Sequence, residues 1–160
     1  MIKVLVVLLL GITAMVTAFS DNVPETTSTC VEMTPGHGDG PQNSASPYQV
    51  VTSVTRLKSG EHLEVFINGT AFRGFYVQAR DSEGNPVGSF LPNNLTETHS
   101  CFGKKSNAAH HNSPTSKTSL RIFWNSPSNF TGKVAFTGTV VKDFATYWTF
   151  IKSKPIEIQA

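Results

Sequence analysis

Apolar and polar residues alternate along much of the chain after Pro47. Alternation with a period of two is typical of β-strands with one buried face, because successive side chains point to opposite sides of a sheet. The runs that share a face are Tyr48, Val50, Thr52 and Val54; Leu63, Val65 and Ile67; Phe75, Val77 and Ala79; Leu120, Ile122 and Trp124; and Val134, Phe136, Gly138 and Val140. The pattern predicts half-buried strands, with Trp124 in the core.

Weaker apolar runs cover residues 87–90, 147–152 and 156–158, and turn-forming residues separate the runs along the chain. No window after the first eighteen residues keeps the spacing of an amphipathic helix, so we expect only short helices. About seven to nine short strands with one buried face predict an all-β fold, an immunoglobulin-like two-sheet β-sandwich.

Two segments lack this alternation. Residues 19–47 are rich in Pro, Gly, Ser, Thr and Asn, which favour turns and irregular backbone, so we expect an extended lead-in. Residues 91–114 are rich in Asn, Ser and His and are predicted to form the longest loop.

The first eighteen residues have the composition of a secretory signal peptide. Lys3 precedes a short apolar run, and small residues lead up to Ala18. The run is shorter than the ~20 apolar residues that span a bilayer. We expect cleavage after Ala18, with Ala18-Phe19-Ser20 as the alternative site, and an extracellular product with no membrane span. The predicted division is 1–18 signal peptide, 19–29 irregular lead-in and 30–160 sandwich domain.

Cys30 and Cys101 both follow the predicted cleavage site. An even number of cysteines in a secreted chain predicts a disulfide, and two cysteines allow one pairing. The alternative is a reactive or metal-binding thiol, but no CxxC spacing supports it.

The chain has 13 basic and 11 acidic residues, which gives a formal net charge of +2. Nucleic-acid binding depends on clustered positive charge, so this near-neutral and scattered pattern argues against it.

Three sequons satisfy the Asn-x-Ser/Thr rule, and they begin at Asn68, Asn94 and Asn129. Several sequons in a secreted chain predict some glycosylation. Asn68 and Asn129 are the stronger candidates, because both lie close to turn-forming glycines.

The histidines are candidates for a metal site, and they are His37, His62, His99, His110 and His111. Their spacing matches no HExxH or HxH motif, and His110 and His111 point in opposite directions in an extended chain. We therefore predict no metal site. The alternative is that His37, His99 and His110 converge near the predicted disulfide.

No catalytic or cofactor motif is evident. The chain has no GxSxG elbow and no recognisable pair of catalytic carboxylates. The glycines at 36, 38 and 40 follow no predicted strand, unlike a phosphate-binding loop. We expect neither enzymatic activity nor a cofactor.

Four aromatic residues fall on strand faces opposite the predicted core: Phe66, Tyr76, Phe123 and Tyr147. The favoured interpretation is that loops and the lead-in cover them. The alternative is an exposed aromatic patch that binds a partner.

Several stretches resemble the Reeler domain, the module at the start of reelin. They are Cys30-x-x-Met33-x-Pro35-x-His37, Phe72-x-Gly74-Phe75-x-x-Gln78-Ala79-Arg80, Leu120-x-x-x-Trp124-x-x-Pro127 and Gly132-x-Val134-x-Phe136. A single Reeler domain after a signal peptide is similar to the secreted insect proteins called putative defense proteins.

This resemblance implies a β-sandwich with Cys30 bridged to Cys101 and a non-catalytic role in innate immunity. The expected partners are microbial surface molecules or blood cells. The alternative is an extracellular-matrix or adhesion module, because the family also occurs in that setting. Ferric-chelate reductases join the domain to haem-binding membrane segments, and the sequence contains none of these, so reductase activity is not expected.

Overall fold

A computed structural model describes residues 23–38 and 40–160. The predicted signal peptide (1–18) lies outside the described residues. The described elements are α1 (Thr27–Glu32), β1 (Tyr48–Thr52), β2 (Arg56–Lys58), β3 (His62–Phe72), β4 (Gly74–Asp81), β5 (Ser89–Leu91), β6 (Thr96–Cys101), β7 (Lys104–His111), β8 (Lys117–Asn125), β9 (Gly132–Asp143), β10 (Thr146–Lys152) and β11 (Ile156–Gln159). No helix in this part of the chain is both long and apolar enough to cross a bilayer.

The strands form two sheets. The four-stranded sheet has the order β1-β3-β8-β5, and the seven-stranded sheet has the order β2-β11-β9-β4-β7-β6, with β10 also paired to β9. Neighbouring strands are antiparallel except for β11 and β2, which run parallel. The sheets pack face to face, as the sequence predicted, and form an immunoglobulin-like sandwich.

The core lies between the two sheets. Trp124 of the four-stranded sheet packs edge-on against Phe136 of the opposite sheet, with ring centroids 5.3 Å apart, and Phe90 packs against the same ring. The residues assigned to the buried faces of β3, β4 and β8 are all buried. Those predictions are confirmed, and so is the buried position of Trp124. Val54 is an exception, because it follows the end of β1 and is 40% exposed.

The lead-in is not wholly irregular, so that expectation was wrong for part of it. Thr26 caps α1 at its N-terminus, where its hydroxyl accepts the Thr29 N–H at 3.2 Å. Met33 ends the helix in the left-handed conformation with φ 52°. The helix has six residues, too few for the apolar spacing of a helix to show in the sequence.

The predicted loop over residues 91–114 was also wrong, because most of this segment is the β6–β7 hairpin. β7 pairs with β6 on one side and with β4 on the other. The buried polar side chains of the hairpin are Thr96, His99, Asn107 and His110. A strand that buries polar residues lacks the apolar alternation on which the sequence prediction relied. With these two strands and the short β2, which no apolar run predicted, the described residues hold eleven strands.

Candidate functional site

The N-terminal segment forms a third layer on the outer face of the seven-stranded sheet. Cys30 and Met33 of this segment pack with Tyr76, Cys101 and Ala108 in a buried cluster that is separate from the main core. The Thr139 hydroxyl donates to the Met33 carbonyl at 2.5 Å. The lead-in therefore covers sheet residues that would otherwise face solvent.

A disulfide joins this layer to the β6–β7 hairpin. It links Cys30 to Cys101 across a sequence separation of 71 residues, with the Cα atoms 5.6 Å apart. Both cysteines are buried. At the base of the hairpin turn, the Asn107 side chain accepts the Cys101 N–H at 2.6 Å and donates to the Cys101 carbonyl at 2.9 Å. These two hydrogen bonds fix the backbone of Cys101, to which the disulfide is attached.

A polar network lies beside the disulfide. The Tyr76 hydroxyl is 2.8 Å from His99 Nε2 and 3.2 Å from Cys101 Sγ, and it accepts a hydrogen bond from Gln78 at 2.9 Å. Gln78 also donates to the Cys30 carbonyl at 3.0 Å, and Arg80 donates to the same oxygen at 2.9 Å. Buried polar groups need such partners, so the network allows the lead-in to close over polar residues.

Burial shifts the acid–base behaviour of the network. Desolvation raises the pKa of Tyr76 to about 12, against a smaller opposing effect of the hydrogen bond from Gln78. Desolvation also lowers the pKa of His99, and the nearby His110 lowers it further. The Tyr76 hydroxyl and His99 Nε2 share one hydrogen bond, and its direction depends on which ring nitrogen of His99 carries the proton. Near neutral pH the network holds no charge on these two rings.

Within the described residues, one group of three potential metal ligands falls together: Cys30, His99 and Cys101. Because the two sulfur atoms are bonded to each other, they offer no thiolate to a metal. The rings of His99 and His110 lie 5.3 Å apart. His37 lies elsewhere, stacked on Phe144 at 4.7 Å, with Nδ1 donating to the Phe144 carbonyl. The three histidines of the alternative metal site therefore do not share one centre.

A cleft of about 730 Å³ lies between the N-terminal segment and the seven-stranded sheet. Its lining is mainly apolar and includes Met33, Phe75, Tyr76, Val141 and Phe144. Arg73, Glu32, Asp143 and two histidines, His37 and His111, also line it. Sequence patterns do not reveal this cleft, because its walls come from separate segments of the chain, residues 23–37, 73–76, 111–114 and 139–144.

The four aromatic residues assigned to outer faces do not form one exposed patch. Tyr76 and Tyr147 are buried, and the lead-in covers Tyr76, as the favoured interpretation predicted. Phe66 and Phe123 are half-buried on the four-stranded sheet, where the Arg121 guanidinium lies 5.2 Å from the Phe123 ring centre.

The most exposed aromatic of the hairpin is at its turn. Phe102 is 50% exposed and has φ 55°, and Gly103 follows with φ 74°. Two consecutive left-handed residues are typical of a type I′ turn, which favours Asn-Gly rather than a bulky aromatic residue. Lys104 and Lys105, both exposed, follow the turn. Both lysines belong to β7, within the segment 91–114 that the sequence predicted to be a loop.

The sequons differ in their surroundings. Asn94 and Asn129 are exposed and lie outside the strands. Asn68 lies within β3 rather than in a turn, is half-buried, and accepts a hydrogen bond from the Ser119 hydroxyl at 2.7 Å.

A known protein family matches most of this chain. The Reeler domain family matches residues 28–160. The chain belongs to the Reeler domain family. It is 35% identical over 150 residues to "Putative defense protein 3" of Antheraea mylitta, a match that covers 91% of this chain and 90% of that protein.

One larger protein matches over part of its own length, and one solved domain shares the fold. Bovine ferric-chelate reductase 1 is 33% identical over 84% of this chain, but the match spans 24% of the reductase. The human F-spondin reeler domain has the same fold, with a TM-score of 0.61 and 19% identity over 78% of this chain and 96% of that domain. The motif of residues 72–80, which carried the Reeler resemblance, contains Gln78 and Arg80. The sequence alone assigned neither residue a role.

Proposed function

We propose that this Reeler protein is a secreted innate-immune defense protein that acts without catalysis by binding microbial surface components or blood cells. The observation that carries the proposal is the match to an insect defense protein over nine-tenths of both chains. Similarity over the whole length of both proteins supports a shared role better than similarity confined to one domain of a larger protein. The reductases match over only about a quarter of their length, so their activity is not transferred.

The disulfide supports the secreted part of the proposal. Structural disulfides persist in oxidising compartments such as the extracellular space and are rare in reducing ones. The buried Cys30–Cys101 bridge fits that environment.

We further propose that carbohydrate is attached at Asn94 and Asn129, which are exposed outside the strands. Asn68 is expected to be modified less, because its side chain is half-buried and hydrogen-bonded. Peptide mapping of the secreted protein after deglycosylation in heavy-oxygen water measures the occupancy of each asparagine. Full occupancy at Asn68 with none at the other two would contradict this expectation.

The β6–β7 turn is the surface we assign to microbial contact. An exposed aromatic residue adsorbs to apolar or glycan surfaces, and adjacent lysines are attracted to anionic groups.

A sedimentation assay with purified protein and intact bacteria, β-glucan particles or blood cells tests the proposal. We expect co-sedimentation of the wild type with at least one of these targets. Phe102→Ser is expected to weaken it about tenfold, because the exposed ring and its contact are lost. Phe150→Ser is the matched control, since Phe150 is 49% exposed and has φ 54°.

Absence of binding to all of these targets, together with binding to extracellular matrix, would contradict the defense proposal and favour the adhesion module. Equal binding by the wild type and Phe102→Ser would show that the contact surface lies elsewhere on the domain.

A further inference from the structure

We propose that the cleft between the N-terminal segment and the seven-stranded sheet is a binding site for a small apolar molecule that carries one anionic group, such as a medium-chain fatty acid. This site is distinct from the turn assigned to microbial contact and does not depend on the defense role.

The size and lining of the cleft fit a small-molecule site. Its volume of about 730 Å³ lies within the ~300–1,000 Å³ that is usual for ligand pockets. Such pockets are mainly apolar, with a few polar groups that orient the ligand. Here the partly exposed side chains of Val23, Pro35 and Val141 contribute the apolar lining, beside hydroxyl and charged groups.

An exposed aromatic residue extends the apolar lining to the surface. Phe144 lines the cleft, is 53% exposed, and stacks on His37 with ring centroids 4.7 Å apart. The hydrogen bond from His37 to the Phe144 carbonyl, at 2.6 Å, fixes the pair. A large apolar side chain held in an exposed position offers a contact for an apolar ligand as it enters.

Arg73 offers an anion one position in a lining that also carries the carboxylates of Glu32 and Asp143. The Asp143 carboxylate accepts the Ala145 N–H at 3.1 Å, and hydrogen bonds from Thr146 and Ala145 lower its pKa. Glu32 accepts the Thr34 hydroxyl at 3.5 Å. The Arg73 guanidinium has no ion-pair or hydrogen-bond partner among residues 23–38 and 40–160. Arg73 is therefore the lining cation that is open to a ligand carboxylate.

The site depends on the third layer. Residues of the N-terminal segment form one wall and strands β4 and β9 form the other. The Cys30–Cys101 bridge and the hydrogen bond from Thr139 to Met33 hold the first wall against the second. A wall held in place before binding lowers the entropy cost of binding.

Fluorescence titration with 1-anilinonaphthalene-8-sulfonate, an apolar probe with one anionic group, tests the site. We expect saturable binding of one probe per chain and its displacement by decanoic acid. Val141→Phe fills the cleft from the sheet side and is expected to weaken probe binding at least about tenfold. Val51→Phe, at a 39% exposed strand position outside the cleft, is the matched control and should bind like the wild type.

Arg73→Gln tests the anionic part of the proposal. We expect it to weaken displacement by decanoic acid about tenfold while displacement by decanol changes little. Arg56→Gln removes another exposed arginine, outside the cleft, and should leave both competitors unchanged.

Near-ultraviolet circular dichroism establishes that each variant is folded. If Val141→Phe does not fold, Thr34→Phe replaces it, because the larger side chain at that position fills the cleft from the opposite wall. Absence of saturable binding, or equal binding by the wild type and the cleft-filling variant, would overturn the proposal. Equal loss of decanoic acid and decanol binding in Arg73→Gln would overturn the anionic part.

Discussion

Trp124 shows at the scale of one residue how closely the two sheets fit. Its side chain is fully buried, and its indole N–H donates to the Val87 carbonyl at 3.1 Å. Gly88 lies directly against the indole, where a Cβ atom would overlap both the ring and the Asn125 carbonyl. Gly88 also has φ 70°, so this position needs glycine for both space and conformation.

Trp124→Ala is expected to lower the free energy of unfolding by about 3–5 kcal/mol, because it leaves a large cavity in the core. Urea unfolding measures the change. Trp148→Ala is the control, since Trp148 is only half-buried, and it should cost less. A Trp124→Ala protein with an unchanged unfolding midpoint would contradict the assignment of Trp124 to the core.

His99 makes stability depend on pH. Its pKa is lowered in the folded protein, so below the usual histidine pKa of about 6.5 the unfolded chain binds more protons than the folded one. The stabilisation from the neutral buried ring is therefore present above that pH and is lost as the pH falls. Urea unfolding at several pH values between about 7.5 and about 5 measures how the free energy of unfolding depends on pH. This range brackets the usual histidine pKa.

His99→Gln should reduce this pH dependence, because an amide does not titrate but still accepts the Tyr76 hydroxyl. His62→Gln, at an exposed position, is the matched control and should leave the pH dependence as it is. Identical pH profiles for the wild type and His99→Gln would show that His99 is not the group responsible.

At the scale of elements, the sequence predicted the strands that bury one apolar face. Leu63, Val65 and Ile67 of β3 alternate with more exposed residues, so their period is visible. The β6–β7 hairpin was missed because Thr96, His99 and Asn107 are polar and yet buried. The N-terminal segment covers the outer face of these strands, so side chains on that face are buried as well. Apolar alternation detects only strands that have one face in water.

Cys30→Ser together with Cys101→Ser is expected to cost about 2–5 kcal/mol, because the unfolded chain regains the freedom of a long loop. We expect faster proteolysis of residues 23–38, which lose their covalent link to the sheet. The β6–β7 hairpin should stay resistant, since β7 remains paired with β4.

Limited proteolysis with mass spectrometry, alongside urea unfolding, measures both effects. The single variant Thr139→Val, which removes one hydrogen bond to the same segment, is a milder comparison. A double serine variant as stable and as resistant as the wild type would contradict the role assigned to the bridge.

At the scale of the whole molecule, the candidate site depends on contacts between distant parts of the chain. The hydrogen bond from Thr139 to Met33 joins residues 106 apart, and that from His37 to Phe144 joins residues 107 apart. Local patterns carry no information about such pairs. The cysteines and the Reeler motifs pointed to the family and to the bridge, whereas the cleft required the folded chain.

The measurement that tests the defense role most directly is the amount of this protein in extracellular fluid before and after microbial challenge, with sterile wounding as the control. A secreted defense protein should be found in the fluid, and its amount should rise after challenge more than after wounding. A level that does not respond to challenge, or that follows tissue development alone, would contradict the account.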